Sequence, residues 1–317
     1  MQSLAVIFEE PEVLELRRLA LSALGANDLR IENIHSGIST GTERLLWSGR
    51  MPHFPGMGYP LVPGYESVGR VVEMGAAAKS AGTFAIGDHV FVPGANCFGD
   101  VRGLFGGTAS AVVVPAVRVI GVDADLGDKA VLLALAATAH HAAPVTGGAL
   151  APELIIGHGV LGRLIARLAV STGGAAPVVW ETNPARQGGA LGYRVCDPAD
   201  DQRRDYKRIC DVSGDATHLD ALVQRLAPGG EIVLAGFYSE RLSFAFPAAF
   251  MREATFRIAA QWKPADLTAV TQLIRNRRLS LDGLVTHHSA VSDAPAAYAT
   301  AFGDPACLKM VLDWRPN

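Results

Sequence analysis

Gly157, Gly159 and Gly162 form the run GHGVLG, with His158, Val160 and Leu161 between them, and this spacing could hold a dinucleotide. The first glycine permits a tight turn, the second lets a pyrophosphate approach the backbone, and the third lets a helix and strand pack closely. Free N–H groups at the helix start then face the phosphates. A carboxylate must follow, and Glu181 closes the apolar run Val178-Val179-Trp180, 181 − 162 = 19 residues past the last glycine. Roughly 20 is the separation at which such an acid meets the ribose hydroxyls of NAD and repels the extra phosphate of NADP. A glycine-rich loop beside a solvated glutamate is the plainer alternative. Methyltransferases that bind S-adenosylmethionine share both features, so these residues alone do not separate hydride transfer from methyl transfer.

The turn needs a strand before it and a helix after it. Glu153 to Ile156 reads as a short buried strand, while Val160, Leu161, Leu164, Ile165 and Leu168 fall on one helical face, with Arg163 and Arg167 off it, until Gly173-Gly174 ends the run. Further strands are expected at Val178 to Trp180, Tyr193 to Cys196, Ile209 to Val212, Ile232 to Ala235 and Phe256 to Ala260, alternating with helical segments as in a doubly wound parallel sheet. Ligands in such sheets sit beyond the carboxyl ends of the strands, so Ser213, Gly236 and Phe237 should line the cofactor crevice. Before this region, runs at Leu4 to Phe8, Ser67 to Met74, His89 to Pro93 and Ala111 to Pro115 alternate with glycine and proline turns and predict a β-rich domain. A helical run, Lys129 to Ala143, bridges the two. The tail, with a strand at Lys309 to Trp314, is expected to return to the first domain. The boundaries are 1–125, 126–280 and 281–317.

Composition narrows the function classes. With 317 residues, 49% hydrophobic and 19% charged, the chain has enough apolar mass for two cores. A formal net charge of −3 without long like-charge blocks argues against a nucleic-acid partner. No apolar run reaches the length of a membrane span, and the N-terminus lacks a basic leader, so a cytoplasmic protein without an integral membrane segment is expected. Cys97, Cys196, Cys210 and Cys307 are scattered without a CxxC pair, which supports neither a disulfide framework nor a zinc ribbon.

Four runs together resemble the medium-chain dehydrogenases and reductases over nearly the whole chain. They are Gly37-Ile38 leading to Gly41-Thr42-Glu43, Gly64-Tyr65-Glu66 with Gly69 and Val71, Gly87-Asp88-His89-Val90, and the glycine turn itself. The resemblance implies an α/β fold: a doubly wound parallel (Rossmann) sheet domain binding NAD, plus a GroES-like β-rich catalytic domain. Glu181, Asn183 and Arg186 match the acid, amide and base that hold the adenosine ribose in members using NAD.

The departures matter more than the matches. Zinc-dependent members take ligands from a Cys before Gly-Thr-Asp, a His in Gly-His-Glu, and a Cys or Glu in the bridging helix. Here those places hold Ser39 or Thr40, Tyr65, and the aliphatic stretch Leu133 to Ala137. Hydroxyl, phenol and methyl groups are poor ligands for Zn²⁺. A metal-free site is therefore expected, and without an ion, side chains must remove the hydroxyl proton and stabilise the oxygen. By resemblance, Thr42 matches a proton-relaying hydroxyl, Tyr65 takes a vacated ligand place with Glu66 beside it, and Thr138 matches a nicotinamide contact. His140 or His141 would then lie near the cleft as base. Tyr65 filling space, and the two histidines serving packing, are the bland alternatives. His158 more readily shapes the phosphate turn than does chemistry.

A narrower likeness sets the substrate. The runs SGISTGTERLLWSGRMPHFPGMGYPLVPGYE, TAHHA, VWETNPAR, FAFPAAFMREA and FGDPACLKMVLDW resemble the bacteriochlorophyll-synthesis dehydrogenase family BchC. That family oxidises the 3-(1-hydroxyethyl) group of a bacteriochlorophyllide, or its chlorophyllide precursor, to 3-acetyl with NAD⁺, which implies a tetrapyrrole partner. Trp47, Met51, Phe54, Met57 and Tyr59 either cover the flat macrocycle or cap the first core. Arg44 and Arg50 either pair with a pigment propionate or are surface residues. A zinc-free quinone or enone reductase is the alternative within the superfamily, although such enzymes generally prefer NADPH. A methyltransferase leaves the β-rich domain unexplained, and a sensor would bind NAD without turnover. The apolar run Leu242 to Phe250 either pairs across a homodimer or packs within one chain.

Overall fold

Asp28–Ile38, with the sequence DLRIENIHSGI, organises the first part of the chain although its polar residues hide it from pattern reading. Arg30 turns outward to Glu73 at 2.9 Å, while buried Asn33 donates to the carbonyls of Gly107 and Ala109 at 3.1 and 2.7 Å. The strand pairs antiparallel with Ser67–Met74, Ala111–Pro115 and Met310–Asp313, with bulges between Arg30 and Ile31 and between Asn33 and His35. It thereby forms the hub of a seven-stranded sheet that also holds His89–Val92, Ile120–Gly121 and His287–Ala290. A four-stranded sheet is built from Gln2–Glu10, Val13–Ala20, Leu61–Val62 and Arg102–Gly103.

The computed structural model describes residues 1–53, 56–144, 151–171 and 173–315. Two units emerge: Met1–Ala134 with Leu284–Asn317, and Leu135–Gly283. The division falls later than position 125 because residues 124–132 pack on Asp28–Ile38 and Ser67–Met74. The bridging helical run also starts differently, as 3-10 turns over Ala124–Leu132 broken at Gly127 (φ 57°), and only Leu133–Ala142 is α-helical.

The second unit carries six parallel strands in the spatial order Arg194–Cys196, Val178–Trp180, Leu154–Ile156, Tyr206–Asp211, Leu226–Leu234, Thr255–Ile258. Numbered along the chain, that order is 3-2-1-4-5-6, with a switch point beside Leu154–Ile156, where doubly wound sheets bind dinucleotides. Leu154, Ile209 and Ile232 are fully buried. Each such side chain stabilises the sheet by about 1.5–3 kcal/mol. Among the described residues, Thr255–Ile258 ends the order and pairs only with Leu226–Leu234. Phe246, Phe250, Met251 and Ile258 are exposed. No helix among the described residues is long and apolar enough to cross a membrane.

Candidate active site

The glycine turn stands between Leu154–Ile156 and the helix Val160–Ser171, and each glycine has its own steric reason. Gly157 has φ +99°, a conformation side chains rarely adopt. A Cβ at Gly162 would sit 1.9 Å from the Gly157 carbonyl oxygen, so only glycine lets the helix lie this close to the strand. A Cβ at Gly159 would meet nothing within 4 Å, leaving open space against bare backbone. At the end of Val178–Trp180, the Glu181 carboxylate accepts from the backbone N–H of His158 at 3.0 Å and of Asn183 at 2.8 Å. The acid is thus fixed over the glycine turn, with lone pairs left to accept further hydrogen bonds. Ser213, Gly236 and Phe237 follow the carboxyl ends of Tyr206–Asp211 and Leu226–Leu234. A Cβ at Gly236 would lie 2.9 Å from the Gly214 nitrogen, so these two turns press together.

His158 is fully buried, and its ring bonds to the Arg186 carbonyl at 2.6 Å and the Tyr193 hydroxyl at 2.8 Å. Burial lowers its imidazole to about 4, so it is neutral and structural. Arg163 and Arg167 correct the sequence reading, since both are buried. Arg163 spends its guanidinium on the carbonyls of His158, Arg186, Gly188 and Gly189, which knits the glycine turn to the loop after Glu181. Arg167 donates to the Ser280 carbonyl at 2.8 Å. Helical periodicity ranks arginine as an outward residue; four loop carbonyls offered at one place reverse that preference.

In the first unit, strand pairing sets the hydroxyl groups together. Ser36 pairs with Ser67, and the Gly37 N–H donates to the Glu66 carbonyl at 2.8 Å, so the turns Ser39–Thr42 and Gly64–Glu66 emerge side by side. Ser39 Oγ and Tyr65 OH hydrogen-bond at 2.7 Å, and the Thr42 hydroxyl also bonds the phenol. Phe105 packs edge-on to the Tyr65 ring with centroids 5.0 Å apart. Burial and the charges of Glu66 and Glu43 push the phenol well above its ordinary value.

Behind this trio lie Glu66 and Glu43, both within the resemblance, and two partners that the sequence did not single out, Lys309 and Tyr298. Glu66 Oε2 meets Lys309 Nζ at 2.5 Å, with both side chains essentially sealed from solvent. Burial pushes the Glu66 carboxyl up, and Lys309 opposes that shift. Glu43, also fully buried, accepts from the Ser39 N–H at 3.1 Å and from Tyr298 OH at 2.9 Å; burial raises it to about 8. A signal for Lys309 existed: a lone lysine inside the strand-like run CLKMVLDW implies a buried partner.

His140 belongs to the second unit, on Leu133–Ala142, and is buried. Its Nδ1 bonds Asp266 Oδ1 at 2.7 Å, and His141 Nδ1 bonds Oδ2 at 2.9 Å. Although burial pushes the Asp266 carboxyl up, hydrogen bonds from His140, the Lys263 backbone and His141 outweigh it and hold the group low. An ionised Asp266 accepts from the Nδ1–H of His140, and Nε2 is buried with no hydrogen-bond partner among the described residues. Thr138 sits half-buried two residues earlier on the same helix.

The donor set does not suit zinc. By the resemblance, the places that zinc-dependent members fill with Cys, His and Cys or Glu hold Ser39 or Thr40, Tyr65 and aliphatic side chains, and Cys97 is a buried free thiol accepting from the Val113 N–H. Among the described residues, no group of three or more His, Cys, Asp or Glu could hold a metal ion. Trp47, Met51, Met57 and Tyr59 pack into the core with Phe8 and Tyr298, Trp47 edge-on to Phe8 at 5.4 Å. Phe54 lies outside the described residues. Arg44 and Arg50 are exposed.

Comparison with known proteins agrees with this architecture. The alcohol dehydrogenase GroES-like domain family matches residues 25–124. The 2-desacetyl-2-hydroxyethyl bacteriochlorophyllide A dehydrogenase of Rhodobacter capsulatus is 55% identical over 99% of both chains. The protein of the same name from Cereibacter sphaeroides is also 55% identical over 99% of both. A solved alcohol dehydrogenase from Escherichia coli CFT073, complexed with NADH, superposes with a TM-score of 0.82 at 20% identity, covering 98% of this chain and 99% of its own.

Proposed function

The chain belongs to the family of 2-desacetyl-2-hydroxyethyl bacteriochlorophyllide A dehydrogenases, oxidoreductases of the medium-chain fold, and from that membership we propose its reaction. It oxidises the 3-(1-hydroxyethyl) side group of bacteriochlorophyllide a, or of its chlorophyllide precursor, to 3-acetyl with NAD⁺ and without zinc, in the cytoplasm. The observation that supports the metal-free reading is the Ser39–Tyr65 hydroxyl contact at 2.7 Å, between residues that the resemblance matches to zinc-ligand places.

The glycine turn supports the cofactor assignment. Gly157, His158, Gly159, Val160, Leu161 and Gly162 would hold the pyrophosphate, with Glu181, Asn183 and Arg186 on the adenosine ribose and Thr138, Ser213, Gly236 and Phe237 toward the nicotinamide. The nicotinamide, when bound, accepts the hydride from the carbinol carbon. The protein's own residues handle the remaining proton. The Tyr65 phenol stays protonated near neutral pH because burial holds it high, so it serves as a relay. It accepts the substrate's hydroxyl proton while passing its own toward Ser39 or Thr42, and its O–H steadies the oxygen as charge builds. Glu66 orients the turn that carries Tyr65. His140, whose Nδ1 bonds Asp266, is the base that the second unit would supply.

Incubating the protein with NAD⁺ and the 3-hydroxyethyl pigment tests this. One NADH should form per pigment, together with the red shift that conjugation of an acetyl group produces. NADH formation without the shift, or no turnover with either pigment, would overturn the substrate assignment.

A further inference from the structure

We propose that Lys309 is a positioning residue for the hydroxyl site, a single buried ammonium that ties together the two turns carrying Ser39 and Tyr65. The proposal rests on the reading of Tyr65 as the proton relay. Lys309 Nζ donates to the Ile38 carbonyl at 3.2 Å and to Glu66 Oε2 at 2.5 Å. Ile38 immediately precedes Ser39, and Glu66 immediately follows Tyr65. The cation therefore holds one atom beside each end of the 2.7 Å Ser39–Tyr65 contact. The strand register ends at Ser36 opposite Ser67, and the Gly37–Glu66 backbone bond extends it by one step. Past that step, Lys309 spans the gap from outside both turns, reaching in from the start of Met310–Asp313.

Gly37 gives the cross-link its room. A Cβ there would sit 2.4 Å from Glu66 Oε2, so the glycine lets this carboxylate fold inward to Lys309. The other ionisable neighbour of the trio is Glu43, held by Tyr298 OH and the Ser39 N–H. A buried ion pair is a poor source of stability, because desolvating two charges offsets their attraction, and apolar replacements are often neutral or better. What the pair provides here is a fixed distance between two turns. That separates a positioning role from a merely structural one.

The test is a mutant cycle in the holoenzyme. Lys309→Met/Glu66→Met removes both charges at similar volume, alone and in the Tyr65→Phe background. Turnover is measured with NAD⁺ and the 3-hydroxyethyl pigment, NAD⁺ affinity by titration, and Tyr65 ionisation as the tyrosine absorbance difference between otherwise identical proteins with and without that tyrosine. The paired change should lower kcat about tenfold or more with NAD⁺ affinity within about twofold, yet cost under about twofold once Tyr65 is Phe. Unchanged kcat, or an equal loss in both backgrounds, would overturn the proposal. A wild type that shows no turnover would instead sink the functional reading, and the tyrosine titration then judges the clamp. Tyr65 should ionise at a pH different from wild type in the charge-free variant, and an unmoved titration refutes the clamp. If the paired variant does not fold, the same titration is read on Lys309→Met.

Discussion

Replacing Gly159 and Gly162 by alanine, one at a time, should separate cofactor binding from folding within a single turn. A Cβ at Gly159 meets nothing within 4 Å, so the free protein should lose no more than about 1 kcal/mol of stability. The same methyl would occupy the space through which a pyrophosphate reaches the backbone. An N–H···O bond of about 2.9 Å to a charged oxygen cannot survive that displacement. Such a bond contributes about 1.5–3 kcal/mol, so its loss should raise the NAD⁺ dissociation constant by about tenfold to a hundredfold. At Gly162 the order reverses, because the added Cβ would lie 1.9 Å from the Gly157 carbonyl oxygen. Helix and strand must part, and overpacking of this kind costs about 1–3 kcal/mol, or a Tm lower by about 2–12 °C. Calorimetric NAD⁺ titration and thermal unfolding read the two effects separately. Wild-type NAD⁺ affinity in Gly159→Ala would refute the placement of the pyrophosphate, and an unaltered Tm in Gly162→Ala would refute the packing argument.

Three further outcomes are expected. Tyr65→Phe should lower kcat by about 10²–10⁴, the range of a general acid–base contribution, with NAD⁺ affinity unchanged; full turnover in that variant would remove Tyr65 from the reaction. Glu181→Ser should narrow the preference for NAD⁺ over NADP⁺ in parallel kcat/KM measurements, and a wild type already favouring NADP⁺ would show that carboxylate misread. His158 should make the fold acid-sensitive: its folded value of about 4 lies below the ordinary 6.5, so the unfolded chain binds more protons between them. Stability is then present above pH 6.5 and falls as pH drops toward 4, by at most about 3 kcal/mol. Denaturant midpoints should show this in wild type and less of it in His158→Gln, and equal acid loss in both would assign the effect elsewhere.

The second unit was easier to read in the sequence than the first, for a physical reason. Parallel strands buried on both faces are short unbroken apolar runs, so Val178–Trp180 stands out with its ends intact and Leu154–Ile156 within one residue. Asp28–Ile38 escaped notice because an antiparallel hub with bulges mixes Arg30, Glu32, Asn33 and His35 into its register, and each polar group is satisfied by a neighbour distant in sequence. The same difference governs the site. Tyr65 and Thr42 could be singled out through resemblance, whereas Lys309 and Tyr298 act on them from 243 and 255 residues away in pairings with Glu66 and Glu43. Arg163 shows the limit of helical periodicity: its side chain is buried by what the next loop offers, which no local window contains.

The central claim, that side chains and not an ion handle the proton, is tested most directly by turnover of metal-stripped protein. Protein dialysed against a strong chelator, with zinc below about a tenth of an equivalent by elemental analysis, should convert the 3-hydroxyethyl pigment at the untreated rate, whereas a structural or catalytic zinc would be needed for activity. A rate that collapses on stripping and returns with one equivalent of Zn²⁺ would contradict the account.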